Sequence, residues 1–255
     1  LNSVIQQDAD ARVVRVVDFN LNVAESKYSG LQTVFKDGIN PDIDSASVPE
    51  DSWDAGSTYT GFPISAAAAE VVSTNVGDTG TLFYSYLASD TSTTYVTASV
   101  TLNGTAPVSL GHNVWRCNFM FYDSGNDTTF NLGTISLYHT ATPTNIFCTI
   151  RPSYSQSFCS AYTVPFGYKG YIDRITANVR GSAAASIDGF FWWRPFGLSP
   201  RLRQAFNASF GSLYFDDIDY LFQIPARTDL IPRITFASAN NLEVQTSYRL
   251  VLVKD

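Results

Sequence analysis

Tyr162-Thr-Val-Pro-Phe-Gly-Tyr-Lys-Gly-Tyr171 carries the pattern that decides the fold class. An aromatic β run enters Pro165-Phe-Gly167, and a second run, Tyr171-Ile-Asp-Arg-Ile-Thr-Ala-Asn-Val179, leaves it. Proline presets φ for a turn and glycine supplies φ > 0, so the stretch reads strand–turn–strand. The same grammar recurs from about Thr81 onward. Tyr95–Leu102 places Val96, Ala98, Val100 and Leu102 on one face and Tyr95, Thr97, Ser99 and Thr101 on the other. Asn103-Gly104 follows, a strong hairpin dipeptide because both residues tolerate φ > 0. Further strands are predicted at Val114–Tyr122, Thr134–Tyr138, Ile146–Ile150, Phe158–Val164, Gly170–Val179, Ile187–Trp193, Tyr220–Ile224, Pro232–Phe236 and Leu242–Val253. Turn signals separate them. The pattern predicts an all-β protein, with one antiparallel β-sandwich or jelly-roll-like domain over residues 64–255. Helix is expected only as single turns at Ala66–Glu70 and Pro200–Phe206.

Residues 1–63 differ in texture. Val17, Phe19, Leu21 and Val23 alternate with Asp18, Asn20 and Asn22, one short strand pattern. Beyond it the chain is rich in Gly, Pro and Asp, with isolated aromatics and no sustained period. Such a segment is expected to form an extended N-terminal arm laid across another surface, anchored by Trp53, Tyr59 and Phe62. The competing reading is an irregular region packed on its own domain.

Composition narrows the function. Of 255 residues, 45 % are hydrophobic and 14 % aromatic, enough to fill a core. Lysine occurs only at positions 27, 36, 169 and 254, and the formal net charge is −7. Nucleic-acid binding needs a basic footprint to displace counterions, so it is not expected. No apolar run approaches the ~20 residues of a membrane span. Leu1-Asn-Ser-Val-Ile-Gln-Gln7 lacks the basic-then-apolar order of a signal peptide. Cys117, Cys148 and Cys159 are an odd set without C-x-x-C spacing, each in apolar surroundings. They read as buried free thiols in a chain folded in a reducing cytoplasm.

Signs of catalysis are thin, and no catalytic, cofactor or metal residue is assigned. His112 and His139 sit in no nucleophile motif. Asp42-Ile-Asp44 and Asp216-Asp-Ile-Asp219 could share a hard cation, but acidic pairs in turns more often accept backbone N–H bonds. Asn-x-Ser/Thr sequons at Asn103, Asn126 and Asn207 are expected by chance in so Ser/Thr-rich a chain.

Phe190-Phe-Trp-Trp193 is the densest aromatic run. A strand sends Phe191 and Trp193 to one face, and Phe190 and Trp192 to the other. A strand apolar on both faces is expected between a core and a neighbouring subunit, so Phe190 and Trp192 are read as interface residues of a dimer or trimer. A sugar-stacking platform is the alternative.

Several short motifs together resemble a family. They are Asn40-Pro-Asp-Ile-Asp44, Pro49-Glu-Asp-Ser-Trp53-Asp-Ala-Gly56, Tyr59-Thr-Gly-Phe-Pro63, Val100-Thr-Leu-Asn-Gly-Thr-Ala-Pro-Val108, Ala161-Tyr-Thr-Val-Pro165, Arg194-Pro-Phe-Gly197, Ile224-Pro-Ala-Arg-Thr-Asp229 and Tyr248-Arg-Leu-Val-Leu-Val253. In this order, over residues 38–255, they look like a group of virion structural proteins of tailed bacteriophages from marine and freshwater hosts. Pro165-Phe-Gly167 departs from the group's usual Pro-Ala-Gly. The resemblance implies a non-enzymatic virion component assembled in the host cytoplasm, with the major capsid protein or other virion proteins, and copies of itself, as partners. A capsid decoration (cement) protein is the first expectation. A tail, fibre-associated or receptor-binding protein that recognises host glycans is the second.

Overall fold

The structure, a computed structural model, describes residues 3–7, 14–18, 22–23, 25, 27–126, 129–181, 184–217 and 223–255. Every strand pairing among them is antiparallel, and helix is confined to Asn22 and Val23. Near the N-terminus, β1 (Ser3–Gln7) pairs with β2 (Val14–Asp18). Phe19 and Leu21, and positions 218–222 with Asp219 among them, lie outside the described residues.

Two five-stranded sheets make the first body. One runs β16 (Leu213–Asp217), β13 (Tyr168–Arg180), β19 (Leu242–Lys254), β3 (Leu31–Ile43), with β17 (Gln223–Ile224) beside β13. The other runs β12 (Tyr162–Thr163), β18 (Asp229–Ala237), β14 (Ser186–Arg194), β15 (Arg201–Ser209), with β4 (Glu50–Asp51) beside β18. Their facing side chains, among them Ile172, Phe191, Trp193, Tyr248 and Leu250, form one core cluster. Val179, Ile187, Phe206, Ile234 and Val244 form another.

The second body is a single stretch of chain between β4 and β12. Its four-stranded sheet runs β11 (Thr142–Ile150), β10 (Ile135–His139), β5 (Ala67–Ser73), β8 (Val108–Val114). A three-stranded sheet runs β7 (Val96–Thr101), β6 (Thr81–Leu87), β9 (Arg116–Asp123). Val71, Leu82, Tyr84, Met120, Leu137 and Phe147 fill the space these strands enclose. Each such buried side chain contributes about 1.5–3 kcal/mol relative to solvent exposure.

The sheet of β12, β18, β14 and β15 serves both bodies. Along β18, Leu230 enters the first core and Ile231 the second. Along β14, Phe191 and Trp193 enter the first, while Trp192 packs against the second. This is why Phe190–Trp193 is aromatic on both faces. The second face of Trp192 packs against the chain's own second core.

Other expectations also change. The division at residue 63 does not follow the sheets, because β3 pairs with β19 and β4 with β18. Residues 31–51 therefore contribute strands to the first body. A single two-layer domain over 64–255 is replaced by two bodies with a common wall. The single helical turns expected at Ala66–Glu70 and Pro200–Phe206 are strands β5 and β15. Both turn dipeptides stand where expected, with Gly104 at φ 56° and Gly167 at φ 78°. Neither closes a hairpin of its flanking strands. Asn103-Gly104 leads from β7 in the three-stranded sheet to β8 in the four-stranded one, and Pro165-Phe-Gly167 leads from β12 to β13, again between sheets. Gly38 is required by close approach: a Cβ there would collide with the Ser52 carbonyl oxygen and the Ser160 backbone.

Candidate functional site

Of the sequence-predicted anchors, Trp53 and Tyr59 are buried and Phe62 is half-buried. Trp53 is buried in the second core, and its indole N–H donates to the Ser57 carbonyl (3.0 Å). Tyr59 meets it edge-on at 5.0 Å and donates its hydroxyl to the Phe147 carbonyl (2.7 Å). Phe62 contacts Tyr59 at 4.7 Å and stacks parallel on Trp192 at 5.7 Å. Together these four rings pack at the wall between the bodies, with Trp53 and Tyr59 buried and Phe62 and Trp192 half-buried. Phe190 is half-buried and lines a recess of about 320 Å³ with Phe236 and Tyr214.

The candidate chemistry is dispersed. His112 stacks on Tyr86 at 4.4 Å with Nε2 3.3 Å from the Tyr84 hydroxyl, and His139 ends β10 facing Phe147 at 6.5 Å. The Asp44 carboxylate accepts the Asn241 N–H (2.9 Å), a turn role. Asp42 is exposed, and the side chains of Asp216 and Asp219 lie outside the described residues. Among the described residues no group of three His, Cys, Asp or Glu is arranged to hold a metal ion.

The outstanding surface feature is a groove of about 570 Å³ between the bodies. Its sides are Phe35–Asp37 of β3, Asn118–Tyr122 of β9 and residues 154–159. Strand alternation turns Met120 and Tyr122 inward and sends Phe119 and Phe121 outward. Phe35, Phe119, Phe121 and Tyr154 are 59, 38, 41 and 40 % exposed. Phe121 is stacked on Phe83 at 4.6 Å, which fixes its ring at the rim. A contiguous aromatic band of this kind marks an interaction surface far better than a scattered hydrophobic residue does.

The third wall is held by hydrogen bonds. Tyr122 N–H donates to the Ser155 carbonyl (2.7 Å), Ser157 N–H to that of Met120 (2.9 Å) and Ile39 N–H to that of Phe158 (3.2 Å). The buried Asp54 carboxylate accepts the Phe158 N–H (2.5 Å) and Arg151 Nε–H (2.9 Å). Burial pushes the Asp54 carboxyl up to about 7, against the opposing pull of these donors. The Arg151 guanidinium lies over the Tyr154 ring at 4.2 Å, so Asp54 fixes an aromatic of the groove through Arg151.

Lys36 and Cys159 reach the groove from beneath. Lys36 Nζ donates to the Asn118 carbonyl (2.5 Å) and side-chain oxygen (3.0 Å), and burial holds its pKa below the usual lysine range. Beside it, Cys117, Cys148 and Cys159 converge in the second core. Their burial was legible in the sequence, but their convergence was not. Nor was the groove, although Asn118-Phe-Met-Phe-Tyr122 carries the two-faced aromatic signal also seen at Phe190–Trp193.

No protein-family model matches the chain, and no curated protein matches it. Among solved structures, the chain is similar to one titled as infectious bursal disease virus Gt strain, at 12 % identity and a TM-score of 0.26, over 88 % of this chain and 72 % of that one. The infectious bursal disease virus VP2 subviral particle matches at 11 % identity and a TM-score of 0.26, with the same coverages. These scores lie far below those of a shared fold.

Proposed function

We propose that this chain is a non-enzymatic structural protein of a virion, most specifically a capsid decoration (cement) protein that binds across capsomers and stabilises the head. The ordered motif resemblance over residues 38–255 supports the virion assignment. The observation that carries an attachment role is the aromatic band of Phe35, Phe119, Phe121 and Tyr154, held rigidly on two strands and a pinned loop. In fold terms we read each body as a β-sandwich, five strands on five and four on three, with one sheet common to both contacts. A rigid doubly walled body suits a clamp that must not deform under load. Its partners in this reading are the major capsid protein and further copies of itself, as a dimer or trimer, assembled in the host cytoplasm. A standard interface of ~1,600 Å² suffices for stable attachment.

A second reading, a tail or receptor-binding protein, draws on the polar groups beside the same rings. Asn118, Ser155, Gln156 and Ser157 line the groove with the aromatics, the mixture of stacking faces and hydrogen-bonding groups that suits a glycan.

The test is a Phe119→Ser/Phe121→Ser double variant. In the cement reading the parent protein cosediments with capsids stripped of it, and the variant, with unchanged circular dichroism, binds at least tenfold more weakly. Binding of the parent to host glycans and not to capsids would install the receptor reading. A variant that binds capsids as the parent does would remove the groove from the attachment surface.

A further inference from the structure

β3 is the last strand of its sheet and pairs with β19 on one side only. A strand turns the backbone groups of successive residues to opposite sides. Gly30, just before β3, gives its carbonyl to the Lys254 N–H (2.8 Å) on the β19 side, and Ile39 gives its N–H to the Phe158 carbonyl (3.2 Å) on the other. Val34 and Lys36 therefore bond β19, while Thr33, Phe35 and Asp37 turn their N–H and C=O groups away from it. Among the described residues nothing pairs with these three outward backbone units. Phe35 and Asp37 line the groove, so its first wall is a row of open hydrogen-bonding groups as well as an aromatic surface.

We propose that the groove takes an uncharged, extended segment of a partner polypeptide, which adds to the free edge of β3 as a further strand. This inference rests on the groove being the attachment surface, and it names how that surface holds its partner. The chain shows the same geometry on itself. Residues 154–159 run along β9 as a strand does, with Tyr122 N–H donating to Ser155, Ser157 N–H donating to Met120, and Phe121 bridged antiparallel to Gln156. The segment then crosses to β3 and covers its edge at Ile39. N-terminal to that contact the edge is open, and an incoming strand continues along β3 where Phe158 stops. An open edge of this kind is a template for pairing with another chain.

Three features set the chemistry of the occupant. Only an extended polypeptide repeats donors and acceptors at the spacing of the β3 edge, so backbone recognises backbone here. Lys36 is the one cation lining the groove, and both oxygens of Asn118 already accept its Nζ–H groups. Asp37 is half-buried, and burial pushes its carboxyl above the usual range. An acidic segment would meet Asp37 with no counter-charge, which selects a neutral one. The exposed rings of Phe35, Phe119, Phe121 and Tyr154 then favour apolar side chains at alternate positions of the added strand.

The experiment follows hydrogen exchange at single amides, with a capped peptide of alternating threonine and valine as the probe. In the free protein the Phe35 and Asp37 amides should exchange roughly tenfold faster than those of Val34 and Lys36. Excess peptide should slow Phe35 and Asp37 by roughly tenfold and leave Val34 and Lys36 unchanged. The same peptide with methylated backbone nitrogens should have no effect. Phe35→Pro deletes an N–H that the β19 ladder does not use, so it should keep the circular dichroism and lose the peptide's effect at Asp37. Should that variant fail to fold, the methylated peptide decides alone. Slow exchange at Phe35 and Asp37 in the free protein, no slowing by the peptide, or equal slowing by the methylated peptide would each overturn the proposal. Capsid binding separates the two readings. A parent that ignores capsids yet is protected by the peptide removes the cement reading and supports strand addition, whereas a folded Phe35→Pro that binds capsids as tightly as the parent overturns strand addition.

Discussion

The Arg116 guanidinium grips the Asp229 carboxylate with two parallel bonds, Nε to Oδ1 at 2.7 Å and Nη2 to Oδ2 at 2.9 Å, with both side chains only 3 % exposed. Arg116 belongs to β9 of the second body and Asp229 opens β18 of the first, so the pair joins the two across their common wall. The same carboxylate accepts from Arg194 (2.7 Å) and from the Thr163 hydroxyl (2.6 Å). Arg116 and Arg194 in turn donate to the carbonyls of Pro63 and Phe62, both at 2.7 Å. The Asp229 carboxylate thus accepts from Arg116, Arg194 and Thr163, and hydrogen bonds of this kind are what let a buried ion pair offset its desolvation cost.

Removing one partner leaves the others charged and buried. Asp229→Ala is expected to lower unfolding free energy by about 3–5 kcal/mol, read as a shift in urea midpoint. A loss below about 1 kcal/mol would mean that water reaches the seam.

Gly38→Ala places a methyl group against the Ser52 carbonyl and the Ser160 backbone, where β3 passes the neighbouring chain. Backbone atoms cannot move aside as a flexible side chain does. The expected cost is about 3 kcal/mol, at the upper end of overpacking, with thermal unfolding as the measurement.

Trp192→Ala removes a ring stacked on Phe62 and covered by Arg233 at 5.2 Å. Because these partners belong to the same chain, the variant should lose about 3 kcal/mol of stability. Its sedimentation state should match that of the parent. Dissociation of an oligomer without loss of stability would restore the subunit-boundary reading of this strand.

Asp54 gives stability a pH dependence whose sign follows from its raised carboxyl pKa. A carboxyl that titrates near 7 when folded and near 3.8 when unfolded binds more protons in the folded state between those values. Its stabilising contribution is complete below the unfolded value and is lost as pH rises through about 7. Measured against an Asp54→Asn variant, the parent should therefore lose roughly 1–4 kcal/mol between pH 4 and pH 8. Parallel stability curves for the two proteins would mean that Asp54 is ionised throughout.

The strand pattern was legible wherever side chains alternate, as along β7, β13 and β19. It failed at β5 because Ala66-Ala-Ala-Ala-Glu70 has high helix propensity. Pairing with β8 and β10 overrides that local preference. Turns were legible too, since Gly104 and Gly167 signal their own backbone conformation. Which sheets a turn joins depends on partners far away in sequence, and no dipeptide encodes that. The aromatic groove and thiol cluster were hidden for the same reason. Each is assembled from segments that share no local pattern, and only the packing of two bodies brings them together.

The pairing of β3 with β19 bears on how the chain is made as well as how it stands. Leu31 lies opposite Val253, and Ile43 opposite Leu242, so the first body is closed by two strands far apart in sequence. The strands of the second body come from one uninterrupted stretch, β5 to β11, although Trp53 and Ile231 complete its core from outside it. During synthesis these strands can pair among themselves early, whereas β3 must wait unpaired until β19 emerges. That wait exposes a thirteen-residue edge to neighbouring nascent chains. The interval before β19 emerges is the point at which this protein is most open to exchanging strands with a sister copy.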